Sequence, residues 1–180
     1  MKKLSCYLLI LIAYSCIPYK IAPNIEGEKI IKAKKFKKNL PNFYGFIFED
    51  PKNANEFYNF INAKYNLKHL NVESNVPISI NNETYYLSFF EREKATETIN
   101  LIPIAVDAGL QSKGNDPIFE DNYTSRKGYW YLVLTVTDPK FKDCLNPNHP
   151  QHGKIVNHLK KLKDEYFSTS NYMEAYLKMK

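Results

Sequence analysis

Apolar positions along the chain change period several times, and each change predicts an element. Residues 28–36 (EKIIKAKKF) read as a lysine-rich strand, and Asn39-Leu40-Pro41-Asn42 as a turn. Residues 44–48 (YGFIF) predict a short apolar strand. Asp50-Pro51 follows, a helix N-cap with proline at the first helical position. Ala54, Phe57, Tyr58, Ile61 and Tyr65 then recur at helical spacing, which predicts an amphipathic helix over 51–65, with Asn66 as its stop. Val72, Ser74, Val76, Ile78 and Ile80 alternate with mostly polar neighbours. Asn81-Asn82 supplies a turn, and 85–90 returns with Tyr85, Leu87 and Phe89 on one face.

Residues 99–106 form a further apolar run, and Pro103 places it at a sheet edge or on a bulge. A loop holding Gly109, Gly114 and Pro117 continues to Gly128. Residues 129–137 (YWYLVLTVT) make the strongest strand. Trp130, Leu132, Leu134 and Val136 share one face, and Tyr131, Val133 and Thr135 the other, so the strand belongs in the middle of a sheet. A helix over 150–167 carries Ile155, Leu159, Leu162 and Tyr166 on one stripe, and a short helix over 172–179 closes the chain. Hairpin-linked strands with few βαβ units predict an α+β fold. Its sheet is mostly antiparallel, of about five to six strands, with two main helices and the short C-terminal helix on one face. A β-sandwich with peripheral helices is the alternative. No internal repeat or Gly/Ser linker divides the chain, so 28–180 reads as a single domain.

Composition narrows the class. With 11 Phe and 14 Tyr the chain is not disordered, and with 6 Gly and 3 Cys it is neither collagen-like nor a disulfide scaffold. Net charge is +6, but only Arg92 and Arg126 are arginines. Base and phosphate forks favour arginine, so the lysine bias argues against a nucleic-acid partner.

The N-terminus changes the picture most. Met1-Lys2-Lys3 is a basic head, and the ten residues 4–13 (LSCYLLILIA) are apolar. That pattern is a secretory signal. The apolar stretch 4–17 would reach roughly 21 Å as a helix, short of the ~30 Å hydrocarbon core, and Pro18 then ends it. Ala13-Tyr14-Ser15-Cys16 resembles the lipobox of bacterial lipoproteins. The resemblance covers 16 of 180 residues. It implies cleavage between Ser15 and Cys16 and lipidation of Cys16. Tyr14 is bulkier than the family's usual residue there, and Ala13 replaces the more frequent leucine. The residue after Cys16 is Ile17, not the aspartate that retains some lipoproteins at the inner membrane. The resemblance therefore implies the outer membrane, and because no acidic cluster follows Cys16 the domain is expected to face the periplasm. Residues 16–27 then read as lipidated cysteine and tether. Loss of 1–15 removes Lys2 and Lys3 and no acid, leaving 23 basic and 19 acidic residues, net +4. It also leaves Cys144 without an intramolecular disulfide partner.

Few residues announce chemistry. Cys144, His149 and His152, with His158 further on, are the best metal candidates, because zinc takes thiolate and imidazole ligands. Their spacing matches no standard zinc pattern, and Cys144 reads equally as a small buried apolar residue. Glu49, Asp50, Asp107, Glu120 and Asp121 fall at strand ends or in loops, where paired carboxylates would suit glycoside hydrolysis. Acids there also cap helices and form turns. No G-x-S-x-G, H-E-x-x-H or Gly-rich phosphate loop occurs. Lys29, Lys32, Lys34, Lys35, Lys37 and Lys38 suit an anionic headgroup or acidic partner, or a solvated edge strand. Tyr85, Tyr86, Phe89 and Phe90, with Tyr129, Trp130 and Tyr131, suit a protein or glycan surface, or ordinary sheet core.

The sequence thus predicts an envelope lipoprotein held in the bilayer through acylated Cys16. It would serve as a non-enzymatic interaction module for an envelope protein or glycan, without a cofactor. The alternative is an envelope hydrolase or metal-dependent enzyme using Asp107 and Glu120 or the Cys144/His149/His152 cluster.

Overall fold

A computed structural model describes residues 16–169. The signal segment 1–15, with Ser15, and the helix expected over 172–179 lie outside the described residues. The elements are β1 (Cys16–Lys20), β2 (Lys29–Lys32), α1 (Ala33–Phe36), β3 (Tyr44–Asp50), α2 (Glu56–Lys64), β4 (Val76–Ile80), β5 (Glu83–Asn100), α3 (Leu101–Gln111), a 3₁₀ turn (Glu120–Asn122), β6 (Thr124–Thr137) and α4 (His152–Ser168). The six strands form an antiparallel sheet in the order β1-β5-β6-β3-β2, with β4 paired to the start of β5. The fold is α+β, and β6 is central to the sheet.

The described residues gather into two compact units: 16–24 with 93–129, and 25–92 with 130–169. The larger unit holds the apolar core. Phe46 and Phe48 of β3, Leu87 and Phe89 of β5, and Leu132 and Leu134 of β6 pack with Phe57 and Ile61 of α2 and Ile155, Leu159, Leu162 and Tyr166 of α4. Aromatic edges dominate, with Phe57 meeting Phe89 at 4.9 Å and Tyr166 at 5.0 Å between ring centres. Helix α1 adds a cover that the sequence does not announce. Ala33 and Phe36 are buried, and Phe36 meets Tyr131, on the opposite face of β6, at 5.3 Å. Helices therefore lie on both faces, not one. Gly45 permits this approach, because a Cβ there would lie 2.8 Å from Val133 Cγ1 and 3.4 Å from Ala33 Cβ.

Several elements differ from the pattern that predicts them. The strand expected over 28–36 stops at Lys32 and continues as α1. Helix α2 begins at Glu56, because Asp50 does not cap it. Asp50 stays in β3, in register with Trp130, and left-handed Asn55 (φ 67°) occupies the N-cap position. Strand β4 starts at Val76 because Asn75 is left-handed (φ 55°). The hairpin turn is as expected, with Asn81 and Asn82 both at positive φ, the geometry of a type I′ turn.

The largest difference falls on the run 99–106, expected as a strand and found as the start of α3. Pro103 is its third residue, where a helix has no partner for a backbone N–H, so the proline removes nothing. A run that is apolar on every side carries no period to separate strand from helix. No helix among the described residues is long and apolar enough to cross a membrane.

Candidate functional site

In the smaller unit, Cys16 opens β1 opposite Asn100, the last residue of β5. Its side chain is exposed, and its thiol donates to Asn100 Oδ1 at 3.1 Å. The segment read as a tether thus begins as an edge strand. Side chains fasten it. Tyr19 and Lys20 donate to the Glu97 carboxylate at 2.5 and 2.8 Å, and the Ala22 N–H donates to Thr96 Oγ1 at 3.1 Å. The bonds from Lys20 and Tyr19 hold the Glu97 carboxyl below its ordinary range. Ile17, Tyr19 and Ile21 point apolar surface outward.

The same unit holds Asp107, which is fully buried on α3. Its Oδ1 accepts from the Ile118 N–H at 3.0 Å, and its Oδ2 from the Phe119 N–H and the Tyr123 hydroxyl, both at 2.8 Å. Burial alone would raise this carboxyl, but the three donors outweigh it and hold it low. Tyr123 is pushed up to about 12 by burial and by its bond to Asp107. Asp107 therefore clasps the loop after α3 to the helix. Glu120 and Asp121 lie exposed on the 3₁₀ turn, so Asp107 and Glu120 do not face one cleft together.

In the larger unit, the metal candidates separate. Cys144 is fully buried, its N–H bonded to Val136 O at 2.9 Å, and desolvation pushes its thiol up to about 12. His149 accepts the Gln151 N–H on Nδ1 at 3.3 Å and sets Nε2 4.0 Å from Asp138 Oδ2. His152 Nδ1 and His158 Nε2 are buried without a hydrogen-bond partner, and burial lowers the His158 imidazole pKa. Among the described residues no group of three or more His, Cys, Asp or Glu side chains is placed to hold a metal ion. A shallow groove runs past Glu83, Tyr85, Asp138 and His149. Within it, Tyr85 donates to Glu83 at 2.5 Å.

A further polar cluster is one the sequence pattern does not bring together. Asp50 is buried at the end of β3. Its Oδ2 accepts from the Tyr166 hydroxyl at 2.9 Å, and its Oδ1 from the Lys52 N–H at 3.0 Å. Lys52 Nζ lies 4.4 Å from the Tyr166 ring centre and donates to the carbonyls of Tyr166 at 2.5 Å and Thr169 at 2.7 Å. Burial pushes the carboxyls of both Asp50 and Glu91 upward, and the charge of Asp50 raises Glu91 further. They line a small cleft beside Trp130, which is 45% exposed. The signal for Asp50 is a pairing 116 residues away, which no local pattern carries. Glu91 sits in mid-strand, where an acid draws no notice. Glu49 is half-buried on β3.

The remaining candidates divide. Lys29, Lys34, Lys35 and Lys38 are exposed around edge strand β2 and α1, while Lys32 covers the Tyr44 ring at 4.6 Å. Tyr85, Phe89 and Tyr131 belong to the core, Tyr86, Phe90 and Tyr129 are half-buried, and Trp130 is exposed. No protein-family model matches the chain, and no curated protein and no solved structure matches it either.

Proposed function

We propose that this chain is a cell-envelope lipoprotein, attached to the outer membrane by acyl chains on Cys16 and facing the periplasm. There it serves as a non-enzymatic interaction module for an envelope protein or glycan. The observation that supports this reading best is the placement of Cys16. The thiol of Cys16, the last residue of the lipobox, stands exposed, in no disulfide, on a strand edge. An apolar stretch of the length of a signal precedes it. One acyl chain gives marginal, reversible binding, and each further buried CH₂ adds about 0.8 kcal/mol, so several chains on one cysteine hold the domain firmly. The exposed lysines of β2 and α1 suit an anionic surface or partner. The candidates for chemistry support an enzyme less well, since Asp107 and Cys144 are both buried and Asp107 is engaged by three donors.

The test is metabolic labelling with radioactive palmitate in a diderm bacterial host. The full chain takes up label and partitions into detergent, and Cys16→Ala loses both. Label retained in Cys16→Ala would remove Cys16 as the anchor. Absence of label in both chains would remove the lipoprotein reading.

A further inference from the structure

Helix α3 in the smaller unit has the wrong surface for a helix facing water. From Leu101 to Gln111 its sequence is LIPIAVDAGLQ, with Asp107 as its single charge. That charge is fully buried and held by Ile118, Phe119 and Tyr123. What faces outward is apolar: Leu101 is 39% exposed, Ile102 46% and Val106 44%, and Ala105 and Ala108 are exposed beside them. At 3.6 residues per turn, Leu101, Ala105 and Ala108 form one row, and Ile102 and Val106 the row beside it. A helix on a water-facing surface ordinarily keeps charged or polar residues on that side. Here the polar side is missing.

Position says what covers this stripe. Asn100 is both the N-cap residue of α3 and the cross-strand partner of Cys16, whose thiol it binds at 3.1 Å. The helix therefore starts one residue beyond the point where acyl chains would leave the protein. Eleven helical residues reach about 16 Å, too short for the ~30 Å hydrocarbon core and suited to lying in the interface. An interfacial helix sinks its apolar side about 5–10 Å into the headgroup and acyl boundary. We infer that α3 lays its Leu101–Ile102–Val106 stripe into the bilayer that holds the chains of Cys16, as a second membrane contact beside the lipid anchor. This rests on the lipoprotein reading above. With both contacts in one unit, the lipid fixes where the protein sits and the helix fixes how that unit is turned toward the membrane.

The test uses the full chain, purified lipidated from membranes and reconstituted in phosphatidylethanolamine/phosphatidylglycerol vesicles. Ile102→Cys and Val106→Cys are each labelled with an environment-sensitive fluorophore, and Lys140→Cys, on an exposed turn of the larger unit, gives a reference. Both helix substitutions shorten exposed side chains and leave the Asp107 clasp in place, and fully buried Cys144 takes no label in the parent chain. Palmitate incorporation is followed in parallel. The expected result is palmitate uptake, blue-shifted emission at 102 and 106, loss of that emission to shallow nitroxide lipids, and protection from aqueous iodide. Palmitate uptake with iodide quenching at both sites would overturn the membrane contact and leave the anchor standing. Protection from iodide without nitroxide quenching, or a disulfide between two chains at 106, would give the stripe to a protein partner or a second copy and also overturn it. No palmitate in the parent chain would overturn the anchor and this inference together.

Discussion

Burial pushes the Asp50 carboxyl upward, while Asp107, equally hidden, is held low by three donors. The two residues respond to acid in opposite senses. For Asp50 the protonated form is favoured in the fold, so its contribution to stability is greatest below the ordinary aspartate pKa. It falls as pH rises through the raised value. Tyr166→Phe removes the hydroxyl that stabilises the charged form. It is expected to cost about 1–3 kcal/mol near neutral pH, with a loss that shrinks as Asp50 takes a proton. Urea unfolding of the two chains across the acid range measures this, and a pH-independent loss would contradict it. For Asp107 the stability is present above the unfolded pKa and is lost as pH falls through the lowered one. Asp107→Asn replaces one acceptor oxygen with a donor, so amide exchange at Ile118 and Phe119 should accelerate while the core of the larger unit stays protected. Neither role is legible from neighbouring residues. Asp50-Pro51 has the form of a helix start, and only Tyr166, brought in by α4, makes Asp50 a buried acceptor.

Elements were legible where a period was present. The stripe Ile155, Leu159, Leu162 and Tyr166 is the buried side of α4, and the doubly apolar 129–137 run is the central strand. The Asn81-Asn82 turn was legible from residue type alone, because asparagine tolerates the positive φ that a type I′ turn demands. Helix α3 was not legible, since an all-apolar run has no phase and its proline falls where a helix accepts one. Two substitutions test this scale by denaturant unfolding. Leu159→Ala, at a fully buried position against β3–β6, is expected to cost about 2–5 kcal/mol. Asn82→Gly relieves a left-handed non-glycine residue and is expected to gain up to about 1 kcal/mol. A large gain from the first or a loss from the second would contradict these assignments.

The whole molecule joins an α+β fold to an N-terminus that carries the functional account. The fold class was legible because hairpins and helices leave different periods, whereas the covering of both sheet faces was not, since α1 has only four residues and shares a lysine-rich segment with β2. The proposed role concentrates on one end of the smaller unit, where Cys16, Asn100 and α3 meet. Mass spectrometry of the N-terminal peptide, from chain extracted out of envelope membranes, tests the central claim most directly. The account predicts a first residue of Cys16 carrying a diacylglyceryl thioether and an acylated amine, with residues 1–15 gone. A peptide that retains residues 1–15, or that starts at an unmodified Cys16 or beyond it, would contradict the account.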